Sequence, residues 1–385
     1  MSERTGYAVR SVGGAGLWRD GRPAMGRFEV ELTERCNNAC VHCYINQPGG
    51  DSSSRRRELS TEAIIGVLRE ATDLGALSVR FTGGEPLLRG DFPEIYLAAR
   101  RLGLTVALST NCCLVTEPIA EMLEKVPPLE PVSVTVYGMS EESYEGVTCV
   151  PGSFSQMRRG VQRLVDHGVR ITLTGTLLPQ TSGQVDSLKR WAAALHAPPP
   201  MFVTYLHQRG RRDSDEKNRA IAALRRSPGE VSDFFRSEAA GCAAGTEAPA
   251  HLLGPRGERL FICSAGETVC MDAYGRLVPC LLLRHPDVVY DLSQGSLEEA
   301  VREFFPALRR RGVTSGDYLR KCARCFLGAL CEQCPAWSWT ESGTLDTPVQ
   351  YVCECAHARA RDLGLLLDGE QAWEVDDWER RLAGR

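Results

Sequence analysis

Three cysteines stand close together in the stretch CNNACVHC, which covers residues 36–43. Three residues separate Cys36 from Cys40, and two separate Cys40 from Cys43. Thiolates are soft ligands that suit zinc, copper(I) and iron–sulfur clusters. A loop with this spacing can hold three corners of a cubic four-iron cluster and leave the fourth iron open to a substrate or cosubstrate. The spacing therefore predicts a metal centre with one open position.

A zinc site is the alternative interpretation of this loop, and it requires a fourth ligand. His42 is the nearest candidate, but its neighbour Cys43 would already be a ligand, so binding by both would be strained. We therefore expect an iron–sulfur cluster in this loop rather than zinc.

A second group of cysteines lies toward the C-terminus. Part of it forms two Cys-x2-Cys pairs, and only five residues separate Cys325 from Cys331. Zinc ribbons usually separate such pairs by about 15 or more residues, so two structural zinc sites are the less favoured interpretation. The cysteines of this second metal region are Cys263, Cys270, Cys280, Cys322, Cys325, Cys331, Cys334, Cys353 and Cys355.

Composition narrows the classes of partner and the cellular compartment. The 385 residues include 45 Lys or Arg and 49 Asp or Glu, a formal charge of −4, without a long basic block. Nucleic acid and membrane surfaces are therefore not expected as partners. The N-terminus lacks the apolar stretch of a signal peptide, and no run of 18 apolar residues could cross a bilayer. We expect a cytoplasmic protein, whose 16 cysteines serve metal or redox chemistry rather than disulfides.

Short apolar runs alternate with stretches in which apolar residues recur every three or four positions. This alternation is typical of βαβ units around a parallel sheet, either an open curved barrel or a doubly wound sheet. Both architectures bind ligands at the carboxyl ends of the strands, so Cys36 after the first strand and GGEP after the second should face one site. Predicted strands cover 27–33, 77–82, 105–110, 132–137, 169–178 and 201–206, and predicted helices cover 61–75, 91–103, 117–126, 154–168 and 185–196.

Two stretches follow the last predicted strand. Residues 207–219 are dense in charge, which predicts a solvated loop or linker; contact with an acidic substrate is the less favoured alternative. Residues 241–258 are small and turn-rich, which predicts a boundary. Beyond it, cysteines replace periodic apolar residues, as in regions held by metal rather than by a core.

The sequence Cys36-x3-Cys40-x2-Cys43, followed by GGEP at residues 83–86, resembles the radical S-adenosylmethionine (SAM) superfamily. The resemblance implies an α/β fold with a partial (β/α)6 TIM-like barrel. It also implies a [4Fe-4S] cluster whose open iron chelates the amino and carboxylate groups of SAM. Reductive cleavage of SAM would yield a 5′-deoxyadenosyl radical, which abstracts hydrogen from a substrate.

The same resemblance assigns residues to the cosubstrate. Gly83 and Gly84 would let the backbone approach a ligand, and the carboxylate or carbonyl of Glu85, next to Pro86, would accept from its ammonium group. Polar residues on the third and fourth strands would contact ribose or carboxylate, with strand-end caps as the alternative role. These residues are Ser109, Thr110, Asn111, Ser133 and Thr135.

The chain departs from the family pattern at two places. Many relatives have a glycine where Cys112-Cys113 stands, and an acidic residue where Tyr137 stands. Cys112 and Cys113 would then be small apolar fillers.

The second group of cysteines resembles the SPASM extension of peptide-modifying radical SAM enzymes, which holds two further [4Fe-4S] clusters with interleaved ligands. The resemblance assigns Cys263, Cys270, Cys280 and Cys334 to the nearer auxiliary cluster. It assigns Cys322, Cys325, Cys331 and Cys353 to the outer one, with Cys355 as an alternative to Cys353. The chain would thus hold three [4Fe-4S] clusters.

These patterns divide the chain into five parts. They are an N-terminal extension (1–26), a radical SAM core (27–240), a linker (241–262), a cysteine-rich iron–sulfur domain (263–356) and a C-terminal helical tail (357–385).

The resemblance favours a radical peptide maturase that oxidises, epimerises or cross-links a ribosomally made peptide or protein. Leu281 follows Cys280 where sulfatase-maturing relatives place an aspartate, so that activity is not expected. Residues 1–26 look too short for a leader-binding domain, so a separate recognition protein is expected, together with a reductant such as flavodoxin or ferredoxin. The alternatives are radical chemistry on a small molecule (a sugar, a tetrapyrrole or a peptide-derived cofactor) and a non-catalytic electron carrier.

Overall fold

The computed structural model describes residues 18–19, 22–23, 25–240 and 253–383. Most of the predicted N-terminal extension and the first half of the predicted linker lie outside these ranges. The strands are β1 (Trp18–Arg19), β2 (Arg22–Pro23), β3 (Arg27–Thr33), β4 (Arg35–Cys36), β5 (Gln47–Pro48), β6 (Ser78–Gly83), β7 (Thr105–Thr110), β8 (Val132–Val136), β9 (Ile171–Thr176), β10 (Met201–Val203), β11 (Val269–Met271), β12 (Arg276–Val278) and β13 (Tyr290–Asp291). The α-helices are α1 (Ser52–Arg57), α2 (Thr61–Asp73), α3 (Phe92–Arg101), α4 (Glu117–Lys125), α5 (Glu141–Thr148), α6 (Ser153–Asp166), α7 (Val185–Ala194), α8 (Asp215–Ala223), α9 (Pro228–Ala240), α10 (Leu297–Glu299), α11 (Phe305–Arg309), α12 (Gly316–Arg320), α13 (Pro335–Ser342), α14 (Gln350–Asp362) and α15 (Trp378–Ala383).

The central sheet has nine strands in the order β10-β9-β8-β7-β6-β3-β11-β12-β13. Its first six strands are parallel and correspond to the six strands that the sequence predicts. They follow one another across the sheet in chain order, whereas a doubly wound sheet reverses direction at a switch point. The strand order therefore favours the open barrel, and the predicted α/β fold is confirmed.

Alternation along the strands separates two faces of the sheet. In β8, Val132, Val134 and Val136 are buried in the main apolar core, while Ser133 and Thr135 are half-buried on the opposite face. The other parallel strands follow the same rule, because successive side chains of a strand point to opposite faces. The apolar face packs against the helices, and the second face is lined largely by hydroxyl and charged groups.

The C-terminal region continues the barrel sheet. Strand β11 pairs in parallel with β3, and its Cys270 stands opposite Glu29. Strands β12 and β13 then extend the sheet in antiparallel fashion. The second group of cysteines is thereby tied to the first strand of the barrel.

Apolar residues also form a core in the C-terminal region, so the expectation that cysteines replace such a core is wrong. Phe326, Leu327 and Leu330 are buried together with residues of α14 and of the segment that follows it. Trp337 of α13 is almost fully buried in a separate cluster. Most strands and helices of this region are short. Its apolar residues therefore do not recur with a period that the sequence reveals.

The prediction of a solvated loop at residues 207–219 is wrong for its first half and at its end. Arg209 is buried, and Arg211 is only partly exposed. Helix α8 begins at Asp215, and Ser214 caps it by accepting from the backbone N–H of Lys217. Within the described part of the chain, no helix is long and apolar enough to cross a bilayer.

Candidate metal centre

The first cysteine loop leaves the end of β3 and is closed at its base by backbone pairing. Strands β4 and β5 pair in parallel, and the backbone N–H of Gln47 donates to the carbonyl of Glu34 at 2.8 Å. Arg35 donates to both carboxylate oxygens of Glu58 at 2.8 and 2.9 Å, and to the carbonyl of Gly49 at 3.1 Å. These contacts hold both ends of the loop on buried structure.

The loop brings its three thiols together. Burial, together with the charges of Glu85 and Cys43, raises the pKa of Cys36 to about 12. Burial also raises the pKa of Cys40, and the charges of Cys43 and Cys36 act in the same direction. A coordinating metal deprotonates a thiol outright, so a cationic centre would relieve this accumulation of protonated thiols.

The thiols and His42 bear on which of the two kinds of metal centre fits the loop. Among the described residues, no three Cys, His, Asp or Glu side chains approach closely enough to hold a single ion. The thiolates of a four-iron cluster bind separate irons and therefore stand farther apart than the ligands of one zinc ion. His42 makes an edge-on contact with the ring of Tyr137, 5.0 Å between centroids. His42 therefore packs on an aromatic ring, and the three thiols are soft donors of the kind that an iron–sulfur cluster takes.

Two N–H groups point at the sulfur of Cys36. The backbone N–H of Asn38 lies 3.4 Å from Sγ, and the side-chain amide of Asn111 lies 3.6 Å from it. The same amide donates to Oδ1 of Asn37 at 2.8 Å. The predicted site residue Asn111 thus joins the end of β7 to the cysteine loop and would stabilise a thiolate at Cys36.

The carboxylate of Glu85 is fully buried and bonded inside the chain. It accepts from the hydroxyl of Thr110 at 2.7 Å and from the backbone N–H of Asn111 at 2.8 Å. It also accepts from the N–H of Leu87, and so caps the short 3₁₀ turn that begins at Pro86. Burial raises the pKa of Glu85 to about 7, against the lowering effect of these donors. The side chain therefore ties the end of β6 to the end of β7.

Gly83 and Gly84 bring this turn into contact with the entrance of the cysteine loop. The backbone N–H of Gly84 donates to the carbonyl of Thr33 at 2.7 Å, and that of Glu85 donates to the carbonyl of Arg35 at 3.0 Å. A Cβ on Gly83, whose φ is +124°, would lie 2.2 Å from the Thr33 oxygen, and one on Gly84 would lie 2.3 Å from the Arg35 oxygen. Close approach of two backbone segments accounts for both glycines, whereas the sequence pattern pointed to approach of a ligand.

The remaining predicted cosubstrate residues lie apart from this turn. Ser109 stands opposite Ser133 in the β7–β8 register, and both are half-buried on the polar face. Thr135 follows on the same face, opposite Thr174 of β9. These hydroxyl groups form a row across the inner side of the barrel.

The arginines that follow β10 are residues that sequence reasoning missed. Arg211 donates to the carboxylate of Glu34 at 2.9 Å and to Asp272 at 3.2 Å. The backbone N–H of Gly210 donates to the carbonyl of Tyr44 at 3.1 Å, and Arg209 bonds Asp213. The stretch RGRR followed by aspartate was a signal for buried ion pairs, but the acidic partners of Arg211 lie far away in sequence.

Tyr44 connects the two cysteine regions. It is half-buried and lies within electrostatic range of the ion pair of Glu31 and Arg284, whose side chains are 0 and 3% exposed. Burial raises the pKa of Tyr44, and the charges of Glu31, Cys43 and Cys280 act in the same direction. Tyr44 therefore lies within electrostatic range of a cysteine from each region.

The four cysteines assigned to the nearer auxiliary cluster come together in the structure. Burial, together with the charges of Cys280 and Cys263, raises the pKa of Cys334 to about 12. Burial raises the pKa of Cys270, and Glu29 and Cys280 act in the same direction. These cysteines come from three separate parts of the region, and Cys270 lies on the polar face of the barrel.

The cysteines assigned to the outer cluster line one small cavity. It contains Cys322, Cys325, Cys331 and Cys353. Burial, together with the charges of the other three cysteines, raises the pKa of Cys353 to about 12. Cys355 is fully buried beside Tyr351 instead, and Tyr351 lowers its pKa against the effect of burial. The geometry favours Cys353 over Cys355 as the fourth member.

The C-terminal tail contributes His357 to this outer group. The backbone N–H of Ala372 donates to Nε2 at 3.1 Å, which leaves the proton on Nδ1. Nδ1 lies 2.8 Å from the carbonyl oxygen of Cys353 and 3.6 Å from its Sγ. Sequence reasoning missed this histidine.

Comparison with known protein families identifies the core. Residues 30–192 match the Radical SAM superfamily. This segment begins in β3 and extends into α7, so it includes the cysteine loop and the GGEP turn. The chain carries a radical SAM domain, and the superfamily assignment made from the motifs is confirmed.

Curated relatives are similar over the same part of the chain. An AdoMet-dependent heme synthase of Oleidesulfovibrio alaskensis is 32% identical over 158 residues, 41% of this chain and 40% of the relative. A PqqA peptide cyclase of Rhizobium meliloti is 32% identical over 168 residues, 44% of this chain and 44% of the relative. The chain thus covers less than half the length of these relatives.

A likeness in fold extends over more of the chain. The structure of Streptococcus suis SuiB bound to precursor peptide SuiA aligns with this chain at a TM-score of 0.64 and 14% identity. The alignment covers 86% of this chain and 76% of the SuiB chain. Because so much of the chain is covered, the shared fold includes part of the C-terminal cysteine region.

Replacing Gly84 with alanine is expected to lower the free energy of unfolding by about 1–3 kcal/mol, because the new Cβ would overlap two backbone oxygens. The matched control is Gly90→Ala, where a Cβ meets nothing within 4 Å. Urea unfolding of both reconstituted variants measures the difference. Equal stability of the two variants would contradict the close approach.

The pKa of Glu85 predicts a pH dependence of stability. The pKa of Glu85 is 4.5 in the unfolded chain and about 7 in the folded one. Its contribution is therefore complete below pH 4.5 and is lost as the pH rises through 7, by about 3 kcal/mol. Urea unfolding between pH 5 and 8 should show this fall in the wild type and a smaller one in Glu85→Gln, where the buried Glu31, whose pKa burial also raises to about 7, still titrates. The exposed Glu142→Gln variant, as a control, should retain the full fall.

Proposed function

We propose that this chain, which carries a radical SAM domain, cleaves SAM reductively and abstracts hydrogen from a residue of a ribosomally made peptide or protein. The observation that supports the proposal most directly is the convergence of Cys36, Cys40 and Cys43 beside the GGEP turn. When bound there, a [4Fe-4S] cluster and SAM supply a 5′-deoxyadenosyl radical. The chain's own residues bind and orient these groups.

The three cysteines would hold the first cluster, and the GGEP turn would hold the ammonium group of SAM. Because the Glu85 carboxylate is already bonded to Thr110 and Asn111, we assign the contact with the ammonium to main-chain oxygens of the turn. Ser109, Ser133 and Thr135 would face the ribose and the substrate from the polar side of the barrel.

The two later cysteine groups would hold auxiliary clusters. Tyr44 follows Cys43 in the chain and lies within electrostatic range of Cys280. This position supports a role for the nearer group in accepting an electron from the substrate. In both groups the charges of neighbouring assigned cysteines raise the pKa of a member, which supports these ligand sets. A complete ligand set leaves no position for substrate, so we propose electron transfer rather than substrate binding for both.

The peptide substrate is supported by two similarities. SuiB, which shares the fold, is known bound to its precursor peptide, and PqqA peptide cyclase shares about a third of its aligned residues. We propose that a separate protein presents the peptide leader and that flavodoxin or ferredoxin supplies electrons. The similarity to heme synthase favours a tetrapyrrole as the second candidate substrate.

A direct test compares both substrate classes under one set of conditions. The anaerobically reconstituted protein is incubated with SAM, dithionite and either a candidate precursor peptide or an iron porphyrin. Formation of 5′-deoxyadenosine together with a mass change in the peptide is the expected result. A change in the porphyrin alone would move the assignment to the second candidate, and absence of SAM cleavage would refute both.

Reconstitution should give about twelve irons per chain, four for each cluster. Replacing Cys36, Cys40 and Cys43 together with alanine should remove about four irons and all cleavage of SAM. Iron analysis and chromatography of 5′-deoxyadenosine measure the two effects. Stoichiometric zinc with little iron would contradict the assignment.

The outer group offers a matched pair of variants two residues apart. Cys353→Ala should lower the iron content of the reconstituted protein and change its cluster spectrum, because Cys353 lines the cavity with the other three cysteines. Cys355→Ala should retain the iron, because its thiol lies beside Tyr351. The reverse result would assign the ligand to Cys355.

A further inference from the structure

An open cavity of about 540 Å³ lies beside the first cysteine loop. Cys36 lines it, and so do Pro48 and Gly49 from the far end of the loop. Arg209 and Lys217 line it from the segment that follows β10. This cavity therefore connects a proposed cluster ligand with the protein surface.

Cys36 is the member of the first cysteine group that lines this cavity. Cys40 is buried, with 5% of its surface exposed, and Cys43 precedes Tyr44, which faces the second cysteine region. Asn111 and Glu85 occupy the side of Cys36 toward the GGEP turn. Electron transfer slows steeply with distance, so the cavity marks a short route by which an electron could enter from outside.

One rim of the cavity is basic, although the chain as a whole has a formal charge of −4. Arg55, Arg56 and Arg57 are all exposed on α1, which begins three residues after Gly49. At residues 209–219, by contrast, Arg209 and Arg211 are engaged in ion pairs and the exposed charges are of both signs. The side chain of Lys217 donates to the carbonyl of Cys40 at 2.7 Å, so positive charge also reaches the loop itself.

We propose that the basic surface formed by the exposed α1 arginines, next to this cavity, docks an acidic one-electron carrier protein beside Cys36. Complementary charge steers a partner to such a surface and sets its orientation. The inference rests on the proposed function, in which one electron must reach the metal centre for each SAM cleaved. That electron leaves the reduced carrier, which is thereby oxidised, and ends in the sulfonium bond of SAM, which breaks into methionine and the 5′-deoxyadenosyl radical.

The test compares two reductants on the reconstituted full chain. Dithionite is small and needs no docking surface, whereas an acidic flavodoxin with its NADPH-dependent reductase does. The variant Arg55→Glu/Arg56→Glu reverses two exposed charges and leaves Arg57, which packs over the ring of Tyr274, in place. The matched control, Arg101→Glu/Arg159→Glu, reverses two exposed charges on the outer barrel helices α3 and α6.

The expected result is a loss of about tenfold or more in flavodoxin-driven formation of 5′-deoxyadenosine for the α1 variant at low salt, with dithionite-driven formation unchanged. The control should match the wild type with both reductants. Iron content and dithionite-driven cleavage report whether the variant folds and binds its cluster.

A second measurement needs no variant. Raising the salt concentration should slow flavodoxin-driven cleavage by the wild type and leave dithionite-driven cleavage unchanged, because salt screens exposed charges. Flavodoxin-driven rates that are equal in the α1 variant and the control, or that do not respond to salt, would overturn the docking site. Failure of dithionite to drive cleavage in the wild type would instead refute the proposed function.

Discussion

The structure around the metal centre depends on the contact between two backbone segments, the entrance of the cysteine loop and the turn after β6. Backbone N–H groups of Gly84 and Glu85 donate to the carbonyls of Thr33 and Arg35, at a distance that only glycine permits at residues 83 and 84. The buried carboxylate of Glu85 then bonds the end of β7. Three consecutive strand ends are thereby fixed relative to Cys36, and this rigidity is what a reactive site requires.

Buried charge pairs extend this anchoring to the rest of the molecule. Arg211 reaches Glu34 beside the cysteine loop and Asp272 beside β11, and Arg284 reaches Glu31 on β3. Such pairs gain little net stability over apolar packing, because each ion loses its hydration. Their directional bonds instead specify how the cysteine-rich region sits on the barrel. The metal centres that these regions are proposed to hold are consequently fixed relative to one another.

Much of the fold could be predicted from local pattern. Strands β3 and β7 have the bounds that the sequence predicts, because alternation and β-branched residues report directly on a half-buried strand. Helices α5 and α9 were missed, since residues such as Glu141, Gly146 and Pro228 give them a weak period. The burial of Arg209 was missed for a different reason. Its charge is compensated by Asp213, four residues along the chain, and only the contact with Asn46 comes from a distant part of the sequence. A dense run of charge does not itself show which of its ion pairs will be buried.

The sequence by itself determined the chemistry of the site, because the spacing of Cys36, Cys40 and Cys43 and the residues of GGEP are local features that imply a metal centre beside a tight turn. It also grouped the later cysteines into two sets by family likeness. Only the tertiary structure decided that the Glu85 carboxylate is occupied, that Cys353 rather than Cys355 joins the outer group, and that β11 extends the barrel sheet. These outcomes depend on contacts between groups that are far apart in sequence. Local sequence fits several such arrangements equally well, and hydrogen bonding, burial and close packing in three dimensions select one of them.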